Sequence, residues 1–164
     1  MKISVVIPAY NRPSLLQEAI NSVVSQSYAN WELIVVDDGS NPPLSMSEVK
    51  TLLGNKGVFL RHDSSRGVAR AKNAGLKKAT GEIITILDDD DLLAEGSLEE
   101  IHNAFAEHAN LDCLFLGVDP FGPYAKNPAV NRAKAMKKMV LHQFHCDFLL
   151  AAGQSSFSKI SKAL

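Results

Sequence analysis

The chain has 164 residues, 46% of them hydrophobic, which is typical of a single globular domain with a substantial core. Its formal net charge of −1 excludes a strongly basic protein of the nucleic-acid-binding or membrane-surface kind. Cys113 and Cys146 lie far apart without a CxxC partner, so we expect free thiols in a reducing compartment and no zinc site.

Apolar runs alternate with helical patterns through residue 118. The runs predict buried strands at residues 3–7, 33–36, 58–61, 82–87 and 111–118. Helical spacing predicts helices at residues 13–24, 46–53, 67–79 and 98–108. Pro8 is expected to end the first strand, and Ala69, Leu76 and Ala79 are expected to face the core. This alternation predicts an α/β fold, with a mostly parallel sheet covered by helices on both faces.

The remaining part of the chain has a looser pattern and a basic composition. After Asp119 there is one acid, Asp147, against seven bases. A basic helix is predicted at residues 133–144, and residues 151–160 are ambiguous. The cluster of Arg132, Lys134, Lys137 and Lys138 has two interpretations: a solvated surface, or a peripheral contact with anionic lipid or a polyprenyl-phosphate acceptor.

No apolar run approaches the ~20 residues that cross a bilayer. The first residues favour a strand over a signal peptide, because polar residues follow the apolar run within a few positions. We therefore expect a cytoplasmic protein, with a location at the inner face of the membrane as the alternative.

Polar residues collect where the predicted strands end. The segments are PAYN at 8–11, DDGS at 37–40, HD at 62–63 and DDDD at 88–91. Ligands bind at the carboxyl ends of strands in parallel sheets. Four adjacent carboxylates repel one another unless a cation joins them, and carboxylates at i and i+2 suit Mg²⁺ or Mn²⁺. The alternative for this acidic run is a solvated turn, with Asp91 as a helix cap.

Basic residues are predicted near the same edge. Arg66, Arg70 and Lys72 begin the helix that leads into the acidic strand end, although they could also be solvated helix charges. Asp38 could accept hydrogen bonds from a nucleobase or ribose, whereas Asp37 is expected to be structural. Together these residues predict a metal-dependent nucleotide-diphosphate site.

Two stretches resemble the N-terminal half of family 2 glycosyltransferases with the GT-A (Rossmann-like) fold. They are SVVIPAYNRPSLLQEAINSVVSQSYANWELIVVDDGS and RGVARAKNAGLKKATGEIITILDDDD, within residues 2–118. The motifs P-x-Y-N, D-D-G-S, G-x-x-x-A-x-N-x-G and D-x-D occur in the family's order. The resemblance implies a nucleotide-sugar-binding core at 1–118 and the start of an acceptor-side region at 119–164.

The resemblance also implies residue roles. Tyr10 would pack on the base, although it could instead shield the sheet edge, and Asp38 would bond the base, most often uracil. Asp90 would be the direct ligand of Mn²⁺ or Mg²⁺, with Asp88 as the second metal residue. The residues assigned to nucleotide binding are Pro8, Ala9, Tyr10, Asn11, Asp38, Arg66, Arg70, Lys72, Asp88 and Asp89.

The implied reaction is an inverting transfer of a sugar, with a UDP-sugar as donor and a saccharide or lipid-linked hydroxyl as acceptor. Cell-surface polysaccharide or glycoconjugate synthesis would be the setting, with no nucleic-acid partner. Lys72 departs from the family, which commonly has Arg there, and a lysine loses the planar fork of an arginine.

The catalytic base is unassigned. No acidic pair follows Asp119, and Asp147 is a weak candidate because its setting, FHCDFLL, is apolar. The alternative interpretation is therefore a truncated, catalytically incompetent module that binds a nucleotide sugar or assists assembly.

Overall fold

The computed structural model describes residues 1–116 and 157–158, in which strands and helices alternate along the chain. The strands are β1 (Ile3–Ala9), β2 (Trp31–Asp37), β3 (Gly57–Arg61), β4 (Ile83–Ile86), β5 (Leu114–Phe115) and β6 (Phe157–Ser158). The helices are α1 (Pro13–Val24), α2 (Met46–Leu53), α3 (Val68–Lys78) and α4 (Ser97–Glu107), with a 3₁₀ turn at Gly54–Lys56.

These strands form one sheet in the order β3-β2-β1-β4-β6-β5. The first four strands are parallel, whereas β6 pairs antiparallel with both β4 and β5. The mostly parallel α/β fold is thus confirmed. Residues 157–158, in the segment with an ambiguous pattern, supply a strand between β4 and β5.

Helices cover both faces of this sheet, as the alternation predicted. On one face, α1, α2 and α4 bury Leu16, Val49 and Ile101 among their core residues. On the other face, α3 packs against Val6 and Ile34. Since both faces are buried, the central strands can be continuous apolar runs.

Of the three α3-region residues predicted to face the core, Ala69 was predicted wrongly. Ala71 and Gly75 are buried in the contact, Ala79 is buried, Leu76 is half-buried and Ala69 is exposed. Residues four apart share a helix face, so Ala71 and Gly75 point to the sheet. Ala69 lies two residues from Ala71 and therefore points to the opposite side.

The strand boundaries also differ from the prediction: β2 and β3 begin one or two residues earlier, and β4 is one residue shorter at each end. β1 runs to Ala9 rather than ending at Pro8, which stays in register with Val36 of β2. The fixed φ of proline is compatible with an extended strand. β5 begins at Leu114 rather than at residue 111, where the Leu111 N–H donates to the His108 carbonyl in a turn. The predicted helix at 133–144 lies outside the described residues.

None of the helices in residues 1–116 has the length and apolarity needed to cross a membrane.

Candidate functional site

The carboxyl ends of β1, β2 and β4 meet at one edge of the sheet. Ala9 lies opposite Asp37, and the Asp38 N–H donates to the Ala9 carbonyl at 2.9 Å. On the other side of β1, the Leu87 N–H donates to the Val6 carbonyl at 3.0 Å. The DDGS and DDDD segments therefore leave the sheet on either side of the residues that follow β1.

Asn11 links the segments that follow β1 and β2. Its N–H donates to Ser40 Oγ at 2.9 Å, and its side-chain oxygen accepts from the Asn41 N–H at 2.8 Å. Its φ of 55° is left-handed, a conformation that asparagine tolerates better than most residues. The asparagine of P-x-Y-N therefore fixes the backbone beside the site.

Asp37 is fully buried and faces inward at the end of β2. It pairs with Arg61 and accepts from the Ser40 N–H at 3.0 Å, while Arg61 Nη2 donates to the Ser40 carbonyl at 2.9 Å. Both partners of Asp37 belong to the protein, so this carboxylate holds the turn together.

Asp38 is the anchor of the segment that connects β3 to α3. His62 Nδ1 lies 2.7 Å from Oδ1, and Ser65 Oγ donates to Oδ2 at 2.8 Å. The Arg66 and Gly67 N–H groups donate at 3.0 and 2.9 Å. Burial disfavours the charged carboxylate, but these hydrogen bonds outweigh it and lower the pKa of Asp38.

The glycine of D-D-G-S is required by the same close approach. Gly39 has a φ of 77°, and a Cβ there would lie 2.5 Å from the Ser64 backbone carbon. The two segments can approach because position 39 lacks a side chain.

Two basic side chains contact three carboxylates of the acidic run. Lys72 Nζ lies 2.9 Å from Asp88 Oδ1. Arg12 Nη1 lies 3.1 Å from Asp89 Oδ1 and 2.6 Å from Asp90 Oδ2. Asp89 also accepts from the Tyr10 N–H at 3.2 Å.

Two carboxyl groups of the acidic run, those of Asp89 and Asp91, have raised pKa values. Burial raises the pKa of Asp89, with Asp90 adding to the rise and Arg12 and the Tyr10 N–H opposing it. Burial, followed by the charges of Asp88 and Asp90, raises the pKa of Asp91. Asp89 and Asp90 in turn raise the pKa of Arg12. Four carboxylates stand against two basic side chains, and a further cation would offset the mutual repulsion that contributes to these shifts.

The predicted site residues lie in different settings. Pro8 and Ala9 are buried within β1, whereas Tyr10 is 47% exposed. Arg66 and Arg70 are exposed at the start of α3, and the Lys72 side chain is 13% exposed. The edge thus brings together the residues after β1, Asp38, Lys72 and the acidic run, and their ligand roles stay predictions. Asp147 lies outside the described residues.

The sequence did not indicate three side chains that pair with carboxylates at this edge. Arg12 pairs with Asp89 and Asp90, Arg61 with Asp37, and His62 with Asp38. Arg12 directly follows P-x-Y-N, and the other two follow or end β3, so the strand-end rule could have found them. What the sequence did not show was which carboxylate each one meets.

Asp88 and Asp90 are the residues predicted to hold a divalent cation. Within residues 1–116, no group of three or more His, Cys, Asp or Glu side chains is arranged to hold a metal. Asp88 Oδ1 is buried and, apart from the ion pair with Lys72, has no aligned hydrogen-bond partner in the described part of the chain. The Asp90 side chain is 48% exposed. These oxygens fit a hard cation that takes one or two carboxylates and fills its other positions with phosphate and water.

A separate groove of about 680 Å³ lies between α1 and α2. Pro13, Leu16, Ile20, Pro43 and Leu52 are among its lining residues. None of its lining residues belongs to the acidic run or to D-D-G-S. We therefore place the candidate site at the strand ends, where the charged groups converge.

Comparisons with known proteins identify the family. The sequence profile described as Glycosyl transferase family 2 matches residues 4–155. The UDP-Glc:alpha-D-GlcNAc-diphosphoundecaprenol beta-1,3-glucosyltransferase WfgD of Escherichia coli is 36% identical over 97 residues, covering 59% of this chain and 38% of that protein.

Solved structures show the same fold. TarS 1-349 of S. aureus in complex with UDP-GlcNAc aligns with a TM-score of 0.64 at 28% identity, covering 74% of this chain and 36% of that chain. Mannosyltransferase PcManGT from Pyrobaculum calidifontis, in complex with GDP-Man and Mn2+, aligns with a TM-score of 0.58 at 27% identity. The alignment covers 68% of this chain and 34% of that chain. The predicted GT-A fold is confirmed.

This chain matches a minor part of its relatives, since the aligned segments make up 12% to 40% of the curated proteins compared.

Proposed function

Because the chain belongs to glycosyl transferase family 2, we propose that residues 1–116 bind the nucleotide of a sugar donor at the carboxyl edge of the sheet. The observation that carries this proposal is the convergence of Tyr10, Asp38 and the Asp88–Asp90 carboxylates on one edge. Ligand sites of open α/β sheets lie at such an edge.

Uridine diphosphate is the nucleotide that the comparisons favour. The TarS complex contains UDP-GlcNAc, and WfgD is described as using UDP-Glc. The exposed ring of Tyr10 offers a surface on which a base can stack. Arg66, Arg70 and Lys72 are the candidates for contact with base or diphosphate, and Asp38 is the candidate partner of the base.

A divalent cation, Mn²⁺ or Mg²⁺, is proposed to be held by Asp90 and Asp88. When bound, such a cation would supply positive charge against the leaving diphosphate. Asp89, fixed by the Tyr10 N–H, would face ribose or metal-bound water. The Mn2+ complex of PcManGT supports a cation in this fold.

The proposed reaction of the complete protein is inverting transfer of the sugar to a saccharide or lipid-linked hydroxyl in cell-surface glycan synthesis. WfgD supports the lipid-linked class, because its described acceptor is a diphosphoundecaprenol sugar. Peripheral contact with a membrane would follow from such an acceptor. The catalytic base is not among the residues assigned here.

Isothermal titration calorimetry with UDP tests the nucleotide proposal. We expect UDP to bind in the presence of Mn²⁺ and to lose most of its affinity when a chelator removes the cation. GDP and ADP are the matched competitors. Equal affinity with chelator, or no affinity for any of the three nucleotides, would refute the metal-dependent site.

A separate prediction concerns which residue of the acidic run binds the metal directly. Asp90→Ala should weaken Mn²⁺-dependent UDP binding by about 10-fold or more, because a direct metal ligand is lost. Asp91→Ala is the control and should have a small effect. Equal losses in the two variants would show that the assignment of Asp90 is wrong.

A further inference from the structure

We propose that Arg12 is a built-in counter-cation for Asp89 and Asp90, which a divalent cation must displace to occupy the acidic edge. This inference rests on the proposed function and adds a positioning residue that competes with the metal.

The position of the guanidinium carries the inference. One nitrogen, Nη1, lies within hydrogen-bond distance of carboxylate oxygens from two consecutive residues, 3.1 Å from Asp89 and 2.6 Å from Asp90. A single positive atom that joins two carboxylates occupies the same electrostatic position as a bound cation. A metal at Asp90 and the Arg12 guanidinium would therefore compete for the same carboxylate.

The backbone of Arg12 is held while its side chain can leave. The carbonyl of Arg12 accepts from the Leu16 N–H at 3.0 Å at the start of α1, and the neighbouring Asn11 is tied to Ser40 and Asn41. The Arg12 side chain is 50% exposed and the Asp90 side chain 48%. The contact with Asp90 is exposed on both sides and is therefore weak, whereas the Asp89 side chain is 10% exposed. The guanidinium itself is open to solvent, so it can leave Asp90 at low cost.

Lys72 differs from Arg12 in this respect. Its side chain is 13% exposed, and it approaches Asp88 from α3, which is packed on the sheet. Lys72 is thus a fixed neighbour of the run, whereas Arg12 is the exchangeable one. Arg12 keeps the carboxylates of Asp89 and Asp90 together until a stronger cation arrives.

Mn²⁺ affinity in the absence of nucleotide tests the proposal. Arg12→Gln removes the competing charge and should bind Mn²⁺ about 3- to 10-fold more tightly than the wild type, as expected for the loss of the ion pairs with Asp89 and Asp90. Arg12→Lys keeps a charge and should stay near the wild type. Lys78→Gln is the matched control, because it removes one exposed charge at the C-terminal end of α3, away from the acidic run. Calorimetry or the electron paramagnetic resonance signal of free Mn²⁺ gives the dissociation constants.

A second measurement uses the wild type alone. Titration with diamagnetic Mg²⁺ should shift the Arg12 Nε–H resonance, assigned by its absence from Arg12→Lys, as the guanidinium leaves the carboxylates. The result that supports the proposal is tighter Mn²⁺ binding by Arg12→Gln together with this shift.

Three results would overturn the inference. One is equal or weaker Mn²⁺ binding by Arg12→Gln, and another is an Arg12 resonance that does not move at Mg²⁺ saturation. These two leave the nucleotide proposal intact if UDP binding still depends on Mn²⁺. The third, no Mn²⁺ binding by any variant either alone or with UDP, removes the proposed metal site as well.

Discussion

At the scale of single residues, Asp38 combines a structural position with a predicted ligand role. Its side chain is buried, and its two oxygens accept from His62, Ser65 and two backbone N–H groups of the segment before α3. A charged acceptor with several protein donors stabilises the segment that it holds. A nucleobase that bonds Asp38 would have to share or replace one of these donors.

Asp38→Asn should therefore lower the free energy of unfolding by about 1 to 3 kcal/mol, since an amide cannot accept all these hydrogen bonds. Denaturation by urea measures the change. Asp63→Asn, at an exposed neighbouring position, is the control and should be close to neutral. An Asp38→Asn variant as stable as the wild type but weakened in UDP binding would mean that Asp38 acts on the ligand alone.

At the scale of elements, the close contact of α3 with the sheet depends on one glycine. A Cβ at Gly75 would lie 2.3 Å from Val6 Cγ1 and 3.3 Å from Val36 Cγ2. The helix carries Lys72, so the depth at which α3 packs sets the distance from Lys72 to Asp88. The last glycine of G-x-x-x-A-x-N-x-G is therefore explained by packing.

Gly75→Ala should destabilise the protein by about 1 to 2 kcal/mol. Overpacking costs about 1 to 3 kcal/mol, and the better helix propensity of alanine offsets about 1 kcal/mol at most. Asn73→Ala on the exposed side of α3 is the control and should be neutral or stabilising. Urea denaturation of Gly75→Ala with and without Val6→Ala checks the cause, because the smaller residue at position 6 should relieve the clash. A stabilised Gly75→Ala would contradict the contact.

A second link between elements lies at the opposite, amino edge of the sheet. Glu32 on β2 accepts from Lys2 Nζ at 2.7 Å, Ser4 Oγ at 2.6 Å and the Thr80 N–H at 2.6 Å. Burial disfavours its charge, but these partners outweigh burial and lower the pKa of Glu32 from 4.5 to about 2. The carboxylate thus joins β1, β2 and the segment after α3.

The stability contributed by Glu32 should depend on pH. Since its pKa is lower in the folded state, the contribution is present above pH 4.5 and is lost as the pH falls towards 2. Glu32→Gln should cost about 1 to 3 kcal/mol at pH 7, and less at pH 3. Urea denaturation at both pH values measures this, with Glu18→Gln on the exposed face of α1 as control. A difference from the wild type that does not change between the two pH values would exclude a charge-dependent role.

At the scale of the whole molecule, the sequence predicted the layers and the meeting of the polar strand ends better than the contacts between those ends. The apolar runs of β1, β2 and β4 and the polar segments after them were sufficient, because a buried parallel strand and its exposed end have opposite compositions. The partners of Asp38 and Asp89 were not predictable, since His62 and Arg12 meet them only after distant segments come together. β6 has two residues in the structure, which is too short for a periodic signal.

The central claim is that the carboxyl edge of the sheet binds a nucleotide together with a divalent cation. A crystal structure with UDP and Mn²⁺, with data collected near the manganese absorption edge, tests it most directly. We expect an anomalous peak beside Asp90 and Asp88, diphosphate oxygens on the same ion, and the uracil next to Tyr10. A peak remote from the acidic run, or a uracil in the groove between α1 and α2, would contradict the account.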